Sequence, residues 1–109
     1  MHVELHVFSG RPNPRMELGE QQVKTLRELQ LELSATSHPP SVAPGLGYAG
    51  FSYSDREGLV VAYDGYVRIG RRVLDDPTMR VERFLLDQLP EEFASVRERI
   101  RAQLDRSQR

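Results

Sequence analysis

Polar and apolar residues alternate at the start of the chain. Val3, Leu5 and Val7 point to one side of an extended backbone, and their polar neighbours point to the other. This period of two is typical of a half-buried strand. Pro12 and Pro14 lack the amide hydrogens that a strand ladder needs. The pattern therefore predicts a first strand that ends before these prolines.

A helical period follows over residues 20 to 33, where apolar side chains recur at steps of three and four. Gly19 is placed to begin this helix, and Glu20 lies at the positive end of its dipole. Residues 34 to 47 then contain three prolines and two glycines without any periodicity. This composition predicts a long loop.

The middle of the chain contains the strongest local signal. Asp64 and Gly65 separate two runs of β-forming residues, 60 to 63 and 66 to 69, and this arrangement predicts a two-residue type I′ hairpin. A further strand over residues 48 to 53 completes a three-stranded meander. The turn predicts four facing pairs: Val60 with Ile69, Val61 with Arg68, Ala62 with Val67, and Tyr63 with Tyr66.

Two helices are predicted in the last third of the chain. Asp76 is placed to cap the first of them, with Pro77 in its first position and Pro90 after its end. The second helix has a narrow apolar seam, formed by Phe93, Val96, Ile100 and Leu104. A seam of this width either packs across the other helices or is offered to a partner. Residues 106–109 are expected to be a frayed tail.

These elements predict an α+β fold in one domain that spans residues 1–109. The expected architecture is a single antiparallel, or mixed, sheet of about four strands packed against helices, in the order β-α-β-β-β-α-α. A chain of 109 residues is long enough for one hydrophobic core.

Composition and charge narrow the classes of partner. The formal net charge of −1 supplies no long-range field for nucleic acid, so nucleic acid is not an expected partner. No apolar run approaches the roughly 20 residues of a membrane helix, and the N-terminus lacks the features of a signal peptide. The absence of cysteine suits a reducing compartment. We therefore expect a cytoplasmic protein without a membrane partner.

His2, Glu4 and His6 form the arrangement most like a metal site, because alternation places all three side chains on one face of the first strand. Two imidazoles and a carboxylate are the ligands of many zinc and iron centres. The competing interpretation is the solvated face of an ordinary strand, which we favour because metal ligands usually come from more than one segment. No cofactor is expected.

The turn after the first strand is the candidate ligand site. Arg11 can form paired hydrogen bonds with a carboxylate or phosphate, and the nearby prolines would hold its loop in shape. The candidate ligand-binding residues are Ser9, Arg11, Asn13 and His38. The competing interpretation is a turn that only reverses the chain.

The hairpin register also predicts an apolar surface on the side of the sheet away from the core. Its residues are Leu59, Val61, Tyr63, Tyr66 and Arg68. An exposed face should be polar at alternate positions, and this one is not. We expect a second copy or another protein to cover it, the alternative being the chain's own last helix.

The function that these patterns favour is a non-catalytic interaction module, with a homodimer as one form of it. No nucleophile elbow or zinc-protease helix occurs in the sequence, so an enzyme is not the preferred class. The alternative is a protein that binds a small anionic ligand, or a small enzyme, with its site around Arg11 and the 34–47 loop.

Overall fold

A computed structural model describes residues 1–8, 10, 12–39 and 47–107 of the chain. The strands are β1 (His2–Leu5), β2 (Arg15–Glu17), β3 (Ser34–Ala35), β4 (Phe51–Asp55), β5 (Gly58–Tyr63), β6 (Tyr66–Ile69) and β7 (Arg72–Asp75). The helices are α1 (Glu20–Leu31), α2 (Arg80–Asp87) and α3 (Ala94–Ser107), and a 3-10 turn at Glu91–Phe93 precedes α3. Within these ranges the strands form one antiparallel sheet in the order β2-β1-β4-β5-β6-β7-β3.

The expectation of an α+β fold is confirmed, whereas the expected sheet of about four strands is wrong, because the described residues form seven. The additional strands are β2, β3 and β7, which have three, two and four residues. Strands this short contain too few side chains to establish a period of two. Neighbouring strands hold them in place, and residues 34 and 35 of the predicted loop pair with β7.

The hairpin between β5 and β6 is confirmed in its register. Tyr63 faces Tyr66, and Val60 faces Ile69. Asp64 and Gly65 both have positive φ angles, of 54° and 80°, as a type I′ turn requires. The backbone conformation of these two residues therefore sets which side chains of β5 and β6 share a face.

The start of α2 differs from the expectation. The helix begins at Arg80 rather than at Pro77, because a turn intervenes in which the Met79 amide donates to the carbonyl of Asp76 at 2.8 Å. The buried Asp76 carboxylate still accepts hydrogen bonds from the Arg80 and Val81 amides, at 3.1 and 3.0 Å. It therefore satisfies the free amides of the first helical turn from outside the helix.

The core lies between one face of the sheet and the helices. From the strands it takes Val3, Leu5, Met16, Phe51, Tyr53, Val60, Ala62, Val67, Ile69 and Leu74. From the helices it takes Leu26, Val81, Leu85, Leu86, Val96, Ile100 and Leu104. The seam of α3 is thus buried within the chain and is not offered to a partner. None of the helices in the described ranges combines the length and apolarity needed to cross a bilayer.

Candidate functional site

The side of the sheet opposite the helices, which we call the outer face, is the candidate site. Its residues alternate with the core residues along each central strand. They are His2 and Glu4 on β1, Ser52 and Ser54 on β4, Leu59 and Val61 on β5, Tyr66 and Arg68 on β6, and Val73 and Asp75 on β7. Leu59 is 59% exposed, and Val61, Tyr66 and Val73 are half-buried. The structure therefore places Leu59, Val61, Tyr66 and Arg68 on this face, and the register puts the fifth predicted interface residue, Tyr63, opposite Tyr66.

Tyr63, the fifth predicted interface residue, packs partly against the core. Its ring centroid lies 5.7 Å from that of the buried Tyr48, in an edge contact. Gly50 makes room for this packing, because a Cβ there would lie 2.7 Å from Cβ of Tyr63. Burial also raises the pKa of the Tyr63 hydroxyl. A substitution at Tyr63 would consequently disturb folding as well as the outer face.

Small and large side chains lie side by side on the outer face. Ser52 faces Val61 and Ser54 faces Leu59 across the β4–β5 ladder. We call the two serines the serine trough and the two aliphatic residues the β5 ridge. A hollow of about 530 Å³ borders the trough, and its walls include Glu4 and Leu59. The outer face thus has a depression directly beside a raised strand.

A charged residue lies on either side of the trough and ridge. On the β1 side, the Glu4 carboxylate lies 3.5 Å from Arg15 and 3.7 Å from His6, and it accepts a hydrogen bond from Asn13 Nδ2 at 3.0 Å. On the β6 side stands the exposed Arg68, which has no ion-pair partner among the described residues. Glu4, which already contacts Arg15 and His6, and Arg68 therefore lie on opposite sides of the β5 ridge.

The three candidate metal ligands all lie on β1 or just after it, and their contacts are with one another and with nearby side chains. His6 Nε2 lies 2.6 Å from Ser52 Oγ, and His2 Nε2 lies 4.0 Å from a carboxylate oxygen of Glu17. In the part of the chain that the structure describes, no three side chains of the metal-binding types converge. These contacts fit the interpretation of a polar strand face.

Of the four candidate ligand residues, Asn13 and His38 lie within the described residues. Ser9 and Arg11 lie outside the described residues. Asn13 braces the chain after β1, because its Oδ1 accepts hydrogen bonds from the Val7 and Phe8 amides at 3.0 and 2.9 Å. His38 is exposed, and its amide donates to Thr36 Oγ1 at 3.2 Å. The described contacts do not join Asn13 to His38.

Glu82 was not predicted from the sequence. It lies on α2 and contacts the β5–β6 turn from the side of the sheet that the helices cover. This carboxylate is 1% exposed. It accepts hydrogen bonds from the Tyr48 hydroxyl at 2.6 Å, the Gly65 amide at 3.0 Å and the Asp64 amide at 3.2 Å. Burial raises its pKa, although these hydrogen bonds act in the opposite direction. Glu82 thereby ties α2 to the turn that aligns β5 with β6. The signal in the sequence was an acidic residue between Val81 and the other apolar residues of the helix.

No protein-family model, no curated protein and no solved structure matches this chain.

Proposed function

We propose that this chain is a protein-interaction module that binds its partner through the outer face. The observation that supports this proposal is a broad sheet whose helices all pack on one side, while Leu59, Val61, Tyr66 and Val73 contact solvent on the other. A solvated sheet face is normally polar at these alternate positions. An apolar centre of this kind is typical of association surfaces.

The arrangement of charge agrees with this role. Protein interfaces commonly have an apolar centre depleted of charge and a polar margin that remains accessible to water. On the outer face, Leu59 and Val61 occupy the central strand β5, whereas Glu4 and Arg68 lie on strands to either side of it. The face therefore offers apolar contact area at its centre and charged groups that orient a partner.

Site-specific photo-crosslinking tests this proposal. A photoreactive residue replaces Leu59 on the outer face in the full chain, and in a control it replaces Leu31, which is 85% exposed on α1. Both positions are exposed leucines, so they differ mainly in location. We expect discrete protein adducts from position 59 and none from position 31. Equal labelling at the two positions, or no adduct at position 59, would contradict the proposal.

A second candidate function is the binding of a small anionic ligand, which a hollow of about 670 Å³ between α3 and residues 7–8 and 47–48 favours. Arg99 and Arg106 line this hollow, and neither has an ion-pair partner among the described residues. Calorimetric titration with inorganic phosphate tests it. Binding should weaken in Arg99→Ala and persist in Arg71→Ala, a change at an exposed arginine away from the hollow.

A further inference from the structure

We propose that the partner of the outer face is a second copy of this chain, related by a two-fold axis that runs along the strands between β4 and β5. This inference rests on the proposed interaction function of the face. In the strand order β2-β1-β4-β5-β6-β7-β3, such an axis sets β4 of each copy against β5 of the other, and β1 against β6. A two-fold interface must be self-complementary, because the same patch is used twice.

The shape of the outer face meets this condition. Ser52 and Val61 lie at one level along the strands, and Ser54 and Leu59 lie at another, because each pair faces across the β4–β5 ladder. An axis parallel to the strands preserves these levels. Val61 of the partner copy would then lie over Ser52, and its Leu59 over Ser54. Each β5 ridge would enter the serine trough of the other copy, where the hollow of about 530 Å³ provides room.

Charge complementarity points to the same axis. Glu4, Ser52, Val61 and Arg68 form one continuous cross-strand row, since each faces the next in neighbouring strands. Reversing this row about its midpoint places Glu4 of one copy against Arg68 of the other. The operation makes this ion pair twice and gives Arg68 a partner that the described residues of a single chain do not supply. Complementary charges at both margins fix the register of two docked surfaces.

A second copy fits both the serine trough and the β5 ridge. An extended segment or a helix from an unrelated protein could fill the trough, but the β5 ridge beside it would then need a separate pocket. The second copy supplies ridge and trough together, and it places its Arg68 opposite Glu4 and its Glu4 opposite Arg68. We therefore expect two sheets packed face to face, about 10 Å apart, as in a sandwich.

A residue swap tests the axis. The full chain is compared with Leu59→Ser, Ser54→Leu and the double variant that combines them, using sedimentation and native mass spectrometry across the micromolar range. Because positions 54 and 59 face each other within one chain, the double variant keeps both side-chain types on the same face. Leu31→Ser is the control for an exposed leucine elsewhere.

We expect a reversible dimer for the unmodified chain. Leu59→Ser should weaken dimerisation about tenfold, because it removes the centre of the ridge. Ser54→Leu should weaken it comparably, because leucine would then oppose leucine. The double variant should return to within about threefold of the original dissociation constant. Arg68→Glu should also weaken the dimer, since it opposes Glu4 of the partner copy. Urea unfolding of each variant confirms that the monomer fold is retained.

The possible failures are distinguishable. If single variants weaken the dimer and the swap does not restore it, the proposed axis is wrong. If the chain is monomeric while position 59 crosslinks to a different protein, self-association is wrong and the interaction function stands. A monomer without any adduct at position 59 overturns both proposals.

Discussion

Replacing Glu82 with alanine tests how strongly α2 holds the β5–β6 turn. The carboxylate accepts hydrogen bonds from the Tyr48 hydroxyl and from the Asp64 and Gly65 amides. Alanine removes the acceptor that these donors share. Tyr48 and Gly65 are buried, whereas Asp64 is exposed and its amide can turn to water. The substitution should therefore remove the Glu82 acceptor from two buried donors.

The expected loss of stability follows from these two donors. An unsatisfied buried polar group costs about 1–3 kcal/mol, so the pair costs roughly 2–6 kcal/mol. A partial gain opposes this loss, because burial disfavours the charged form of Glu82 and raises its pKa. We expect a net destabilisation of about 2–4 kcal/mol, which is a large fraction of the 5–15 kcal/mol typical of a domain. The melting temperature should fall by roughly 10–20 °C.

Urea unfolding at neutral pH, followed by far-ultraviolet circular dichroism, measures this difference. Glu28→Ala is the matched control, because it makes the same chemical change at an exposed position in α1. The control should lie within about 0.5 kcal/mol of the unmodified chain. Native-state hydrogen exchange adds a local measurement, since the Gly65 amide should lose protection in Glu82→Ala.

The reasoning is refuted if Glu82→Ala and Glu28→Ala lose the same amount of stability. That result would mean that water or a rearranged turn satisfies the freed donors without cost. A large loss of stability with unchanged protection at Gly65 would also contradict the proposed link between α2 and the turn. The cause would then be a packing defect within α2 itself.

Other predictions concern pH and backbone conformation. Because the pKa of Glu82 is raised in the folded protein, its contribution to stability falls as pH rises from 4.5 through the folded pKa. Glutamine at this position does not titrate. The difference in stability between the unmodified chain and Glu82→Gln should therefore shrink over that pH range, as measured by urea unfolding at a series of pH values. Hydrogen bonds from Arg27 lower the pKa of Asp55 below 3.8, so its contribution is present above 3.8 and lost as pH falls through the folded pKa. In Asp55→Asn, stability should therefore fall less steeply as pH decreases below 3.8. An unchanged dependence of stability on pH would contradict this prediction. Gly50→Ala should cost about 2–4 kcal/mol, because φ is 91° and the new Cβ would lie 2.3 Å from a backbone oxygen of β5. Gly70→Ala, at positive φ without such crowding, should cost less.

Local chemistry explains which parts of the fold were predictable. Asp64 and Gly65 determine a hairpin through their own backbone preferences, so the pairing of Tyr63 with Tyr66 follows from a few adjacent residues. Gly19 precedes α1 as expected, and its amide donates to Gln22 Oε1 at 2.8 Å. Such features need no knowledge of distant parts of the chain.

Strand β3 was not predictable because its partner, β7, is distant in sequence. Ser34 and Ala35 are exposed and lack β-forming character, yet they pair with Asp75 and Leu74 of β7. The pairing itself holds them extended. β7 has only two consecutive apolar residues, which reveal no alternation. Tertiary context thus overrides weak local propensity in these strands.

The candidate site was predictable in outline. Alternation around the hairpin indicated that Leu59, Val61 and Arg68 share a face, and the structure places them there. The role of Glu82 depends on donors 34 and 17 residues away in the chain, Tyr48 and Gly65. The sequence could mark a charge on an apolar helix stripe but could not identify the groups that satisfy it.

The sheet ends at both sides in very short strands, and this limits how copies of the protein can combine. β2 has three residues and follows directly after Pro14, while β3 has only two. Another polypeptide that tried to extend the ladder sideways would find few free amides and carbonyls to bond with. In the proposed dimer, stacking covers the outer face of both copies, so a third copy cannot bind there. This geometry favours dimers over fibrils, even at high protein concentration.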